Sequence, residues 1–303
     1  MSRRGWVLFA LMSVIWGIPY LLIKIAVGGV SVPVLVFARV GVGAALLLPI
    51  AARRGQLGAL RPHWRWLAVF AATEIITPWL LLSNAERRLS SSTSGLLVAT
   101  VPIIGAIVAR LTGDADTLTP ARWTGLIVGL VGVGVLVGPG AGTGDAWSVT
   151  QVLLTAVGYA IGPRIANRKL NDVPGIGVTA VCLGAAAVVY APLAALTWPH
   201  AVPSARVLAA IAGLAIVCTA VAFVLFFRLI AEVGPARATV ITYVNPAVAV
   251  ALGVAVLGEP LTPAILASFA LILAGSVLAT RSGPGSGGRT KGAAGRVAEP
   301  SGR

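Results

Sequence analysis

One acidic residue stands deep inside an apolar run. Glu74 lies about eight to ten residues into the stretch from Trp66 to Leu82, or roughly 12–15 Å along a helix rising 1.5 Å per residue. If that run crosses a bilayer, an ionised carboxylate there costs about 2.5–3.5 kcal/mol. It must be protonated, be paired, or face water. Two readings follow, a site for a proton or a cationic substrate, or a structural ion pair. Pro78 follows four residues later and has no N–H to give the Glu74 carbonyl, which leaves a polar backbone group at the same depth. By the same spacing Pro19, Pro102, Pro163 and Pro246 free the carbonyls of Ile15, Val98, Tyr159 and Thr242. Such breaks are tolerated where they line a cavity or are buried in protein, and a shape-determining kink is the plainer alternative for each.

Arg39 sits about six residues, or roughly 9 Å, inside its own run, where its guanidinium can reach Glu74 or grip a substrate carboxylate with two hydrogen bonds. Lys24 is about three residues from a helix end, a placement that suits snorkelling to the interface. Trp16, Tyr20, Trp79, Tyr159 and Tyr243 are candidates to line a cavity, with Asn245 beside Pro246 as a hydrogen-bonding group; close packing accounts for the aromatics equally well. Trp6, Trp64, Trp66, Trp147 and Trp198 fall near run ends and read as interfacial anchors. His63 and His200 are far apart and the acids are scattered. No catalytic constellation, metal-ligand spacing or nucleotide-binding loop is present, which argues against an ATP-driven pump and calls for no cofactor.

The elements that must hold these residues are set by composition. Of 303 residues 57% are hydrophobic and 11% charged, against roughly 25% charged in a soluble domain, and the mean hydropathy is +0.94. No soluble globule hides that much apolar surface. Apolar runs fall near 6–27, 33–51, 66–82, 91–111, 121–137, 147–166, 175–196, 207–230, 236–257 and 263–279. Each suits one helical crossing, and the alternating short strands of a barrel are absent. The expectation is an all-α integral membrane protein with ten transmembrane helices. The first run is too long for a signal peptide and reads as a retained span. Lys and Arg number 23 against 9 acids, a net charge of +14. With the N-terminus inside, 18 of the 23 fall on the cytoplasmic side; Arg87, Arg88 and Arg206 fall outside, and Lys24 and Arg39 within spans. That bias puts both termini in the cytoplasm and explains the basic charge without nucleic acid. Cys182 and Cys218 sit in apolar runs and read as buried side chains.

The halves resemble each other at an offset of 144. Pro19 matches Pro163, Lys24 matches Arg168, and Pro102 matches Pro246. Near the end the offset becomes 143, where Leu118-Thr119-Pro120 matches Leu261-Thr262-Pro263 and Gly132 matches Gly275. The division expected is 1–139 for a first five-helix repeat, 140–281 for a second, and 282–303 for a disordered basic cytoplasmic tail. Five spans are an odd number, so the second repeat enters the membrane inverted. In transporters that arrangement supports two states around a site near the midplane. Gly125/Gly129, Gly134/Gly138 and Gly158/Gly162 are small-xxx-small pairs that permit close helix contact, within the chain or with another copy.

Trp16-Gly17 with Lys24, Arg39, Thr100-Val101-Pro102 and Gly258-Glu259-Pro260-Leu261-Thr262-Pro263 together resemble the EamA-type branch of the drug/metabolite transporter superfamily, over roughly residues 6–280. The first half departs from the closing pattern, reading Gly113-Asp114-Ala115-Asp116-Thr117-Leu118-Thr119. The resemblance implies two inverted five-helix repeats, a central cavity, and export or exchange of small metabolites such as amino acids, driven by a gradient, in a bacterial-type plasma membrane. The expected partners are a small-molecule substrate, the lipid bilayer and a coupling proton. An intramembrane lipid-modifying enzyme and a passive pore are the alternatives. The substrate, the direction and the oligomeric state are not fixed by the sequence.

Overall fold

The computed structural model describes residues 2–113, 120–138 and 146–280, and the described residues are helical with no strand. The loop with Asp114 and Asp116, the linker 139–145 and the basic tail lie outside them. Among the described residues, nine helices are long and apolar enough to cross a membrane. They are α1 (Arg3–Ala26), α2 (Val32–Arg53), α3 (Leu57–Ala85), α4 (Ser91–Leu111), α5 (Pro120–Val137), α7 (Gly175–Leu196), α8 (Ala205–Val233), α9 (Val240–Leu257) and α10 (Pro263–Thr280). Between α5 and α7 lies α6 (Ala146–Lys169), which is as long but carries Gln151, Arg164, Arg168 and Lys169.

Several of these helices are interrupted. In α1, regular helix ends at Ile15 and resumes at Pro19, with Trp16, Gly17 and Ile18 between. α3 widens into a π turn over Ala72–Ile76, just before Pro78, and α8 does so over Gly213–Val221. In α4, Ala99 and Thr100 separate two helical pieces. In α9 a tight 3-10 stretch, Thr239–Tyr243, gives way to regular helix at Asn245. Shifted by 144, the α3 turn falls inside the α8 turn and the α4 break falls on 243–244. α1 has no such counterpart, because α6 runs through Pro163 as one helix and leaves that proline exposed. The expected break at Pro163 is therefore absent: a surface proline can be absorbed as a gentle bend when nothing is wedged into the gap.

Helix pairing repeats the same pattern. α2 packs on α7, α4 on α9 and α5 on α10. α3 against α6 is matched by α8 against α1, α4 against α6 by α9 against α1, and α2 against α8 by α7 against α3. Exchanging the halves therefore reproduces these contacts, as two repeats related by a pseudo-two-fold axis would. Cross-contacts define two ends. At one, called the upper end here, Lys24 reaches the 86–89 loop, Ser31 meets Thr197 at 2.8 Å, and Glu259 meets Ser91. At the lower end Ser2 donates to Glu232 at 2.5 Å and His63 faces Asp172 at 3.6 Å. The five tryptophans read as anchors are all exposed, and Trp66 lies 5.0 Å from the Lys169 ammonium.

Without hydrophobic expulsion from water to drive them together, helices in lipid associate by close packing. α5 and α10 do so through glycine. A Cβ on Gly125 would stand 2.7 Å from the Gly275 carbonyl oxygen, and one on Gly275 would stand 2.6 Å from Gly129 Cα. Gly134 has open space around it. The Gly125/Gly129 pair is thus an internal contact. Gly275→Val should force the two helices apart at a cost of about 1–3 kcal/mol, lowering the melting temperature in detergent, whereas Gly134→Val should leave it unchanged; equal effects would place the close contact elsewhere.

Candidate functional site

Arg39 projects from α2 into the space between α3, α6 and α8 and is 8% exposed. Its guanidinium carbon lies 3.6 Å from the centre of the Trp79 ring, a cation–π stack, and its Nε donates to Thr219 Oγ1 at 3.0 Å. Thr219 belongs to the π turn of α8 and passes its own proton to the Leu214 carbonyl at 2.8 Å. The wider turn lets a threonine reach back five residues. An arginine held on its face and at one nitrogen keeps its two Nη groups as a fork aimed by the rest of the protein.

Glu74 lies in the π turn of α3 and points at α6. Gly158 and Gly162 make the room: a Cβ on Gly162 would strike the Glu74 carboxyl, and one on Gly158 would strike the Thr73 carbonyl. Glu74 Oε2 is buried without a hydrogen-bond partner, and among the described residues Glu74 forms no ion pair. The expected reach of Arg39 to Glu74 is not what the fold provides. Stacking on Trp79 and bonding to Thr219 hold the guanidinium toward α8. Tyr159 of α6 lies within the electrostatic field of both.

The other residues named from sequence have distinct surroundings. Tyr20 is buried where α1 crosses α4, beside Gly95. Trp16 stands edge-on to Phe223 at 5.9 Å and tilted on Phe226 at 4.6 Å, so it packs against α8. The Tyr243 hydroxyl meets Thr280 Oγ1 at 2.6 Å, away from Arg39. Asn245, its amide nitrogen turned toward the carbonyls of Ile241 and Ser13, donates to both at 2.9 Å and ties the α9 break to α1. Gly17 allows that approach, since a Cβ there would meet Val248 and, at 3.0 Å, the Asn245 carbonyl oxygen. Pro19, Pro78 and Pro246 are buried at the breaks, and Pro102 is half-buried just after one.

Side chains that sequence reasoning passed over bond to backbone carbonyls at or beside the breaks. Tyr190 of α7 donates to the Ile76 carbonyl at 2.6 Å, Thr155 of α6 to the Pro78 carbonyl at 3.2 Å, and Ser276 of α10 to the Ala99 carbonyl at 2.9 Å. Lys24 does not snorkel. Its ammonium donates to the carbonyls of Glu86 and Leu89, both at 2.7 Å, closing the end of α3. Glu259, after the left-handed Gly258 that ends α9, accepts from Ser91 N at 2.6 Å, Ser92 N at 2.9 Å and Ser92 Oγ at 2.5 Å, capping α4. Hydroxyl residues in apolar helices are the sequence signal for such partners, but they are too common to single out. Away from Arg39, a cavity of ≈ 490 Å³ opens at the upper end, lined by Asn84, Arg87, Arg88, Trp147 and Ser148.

Comparison with known proteins agrees with this architecture. The family model described as the EamA-like transporter family matches twice, over residues 3–138 and 146–281. The chain is 32% identical over 278 residues to the uncharacterized inner membrane transporter YedA of Escherichia coli strain K12, covering 90% of this chain and 89% of that one. It is 28% identical over 285 residues to a probable terminal-alkyne amino-acid exporter of Streptantibioticus cattleyicolor, covering 93% and 94%. A solved crystal structure at 23% identity superposes with a TM-score of 0.66 over 92% of this chain and 97% of that one, which speaks for the fold. Two successive family matches spanning nearly the whole helical region, on a chain of apolar helices paired by symmetry, make this a multi-pass membrane transporter rather than an enzyme: the chain belongs to the EamA-like transporter family.

Proposed function

We propose that this transporter is a secondary exporter of small metabolites of the amino-acid type, working by alternating access and coupled to protons. The observation that carries the reading is the set of interrupted helices with backbone carbonyls at or beside the breaks that accept hydrogen bonds from side chains of the opposite half. Contacts of that kind can be exchanged as the halves rock, so a break serves as a hinge as well as a bend. Pro102 and Pro246 are the matched hinges, with Pro19 and Pro78 at the other breaks. α6 is the tenth crossing, 1–139 and 140–281 are the moving units, and the lower end with both termini faces the cytoplasm.

Within that scheme Arg39 receives the carboxylate of the substrate, with the aromatic faces of Trp79, Tyr159 and Tyr20 around it. Glu74, desolvated beside Gly162, carries a proton or meets a cationic group. The amino-acid class is supported by the fork of Arg39 and by the printed name of one relative. Saturable flux with counterflow separates a carrier from a pore, and lipid headgroup turnover by purified protein would mark an enzyme.

In proteoliposomes, Glu74→Gln should abolish pH-driven flux while the protein remains monodisperse with an unchanged helical spectrum; undiminished pH-driven flux would remove Glu74 from the mechanism. Arg39→Lys keeps the charge but loses the planar stack and fork, and should weaken apparent affinity for a carboxylate substrate about tenfold, or about 1.4 kcal/mol. Gly162→Ala should impair the same pH-driven flux by displacing the Glu74 carboxyl, read against the Glu74→Gln rate.

A further inference from the structure

A second carboxyl is buried at the upper end. Glu86 closes α3 and is 0% exposed, and neither of its carboxyl oxygens has a hydrogen-bond partner. Among the described residues no cation lies within ion-pair distance of it. Lys24 is next to it, yet gives its ammonium to the backbone carbonyls of Glu86 and Leu89 and not to the carboxyl. Arg39 is engaged by Trp79 and Thr219. Just beyond the 87–90 loop, the hydroxyls of Ser91 and Ser94 are also buried without partners, under the cap formed by Glu259. A buried carboxylate left unpaired in this way costs several kcal/mol, and taking up a proton removes that cost.

We propose that Glu86 is a proton-binding site of the upper half, neutral in the state described here and discharged when the upper end opens. The groups whose charge it feels are Lys24 and Tyr20 from α1, Arg39 from α2, Tyr159 from α6 and Glu259 from the turn after α9. Burial raises its proton affinity and Glu259 adds to that, while Lys24 and Arg39 oppose it. On discharge, the carboxylic O–H passes its proton to a water molecule, giving hydronium and a carboxylate. Lys24 has three donors and uses two, so its third N–H can turn to the new carboxylate. Opening needs the Glu259 cap on α4 to part from Ser91 and Ser92, because that cap roofs the corner. This site rests on the proposed exporter, in which Glu86 is a second proton site beside Glu74, but the proton on Glu86 can be read without any transport.

Infrared spectra of the protein in lipid vesicles test this directly. At neutral pH the wild type should show a carbonyl band from a protonated, buried carboxyl that fades on alkaline titration. Glu86→Gln should remove that component and Glu74→Gln should leave it in place. Glu86→Asp, a carboxyl at the same point, should restore a shifted band if the glutamine variant proves unstable. A spectrum unaltered by Glu86→Gln, or an Asp variant with no such band, would overturn the assignment. Either result stands apart from flux: absent pH-driven flux with the Glu86 band present would count against the exporter reading alone.

Discussion

A peptide carbonyl in the lipid core has no water to bond, and this fold is organised around that shortage. An interruption that a proline or a π turn makes in a helix can leave such a carbonyl without its helical partner. The chain answers with hydroxyl and amide side chains from the other half: Tyr190 on Ile76, Thr155 on Pro78, Ser276 on Ala99, Asn245 on Ser13. The interface is therefore specified by directional bonds as well as by the glycine contacts of α5 and α10, and apolar packing alone would leave it free to slide.

The buried charges obey the same logic. Arg39 is tolerable in the middle of the bundle because an aromatic face and a threonine hydroxyl replace part of its hydration. Glu74 has no such compensation on Oε2, nor has Glu86 on either oxygen. Natural sequences accept unfavourable local arrangements mainly at functional sites. Tyr159 lies within the electrostatic field of both carboxyls and of Arg39. A change of charge on either acid would be felt by one shared cluster.

Much of the scaffold was legible in advance, for physical reasons. Apolar run length reports helix crossings because the bilayer has a fixed thickness. Prolines at a common offset anticipated the matched breaks of α4 and α9. Pro163 did not behave like Pro19, since a sequence states that an N–H is missing and not whether a neighbour enters the gap. The Gly158/Gly162 spacing said that α6 meets something closely; only the fold shows that the visitor is Glu74. Glu86 escaped notice because Glu86-Arg87-Arg88 reads as a charged loop, and its burial depends on α1 and the turn after α9, far away in sequence. Arg39 was found and its partner was not, as aromatic stacking leaves no trace in residue spacing.

The unequal pair α1 and α6 has a consequence for the working cycle. A molecule built from two interchangeable halves would rest equally well with its mouth on either side. Here one half has an interrupted leading helix and the other a continuous one, so in the proposed cycle the two resting postures would differ in free energy. In the proposed cycle the carrier would then wait mostly on one face of the membrane, and that waiting posture, rather than any one-way valve, would set which compartment is sampled at low solute levels.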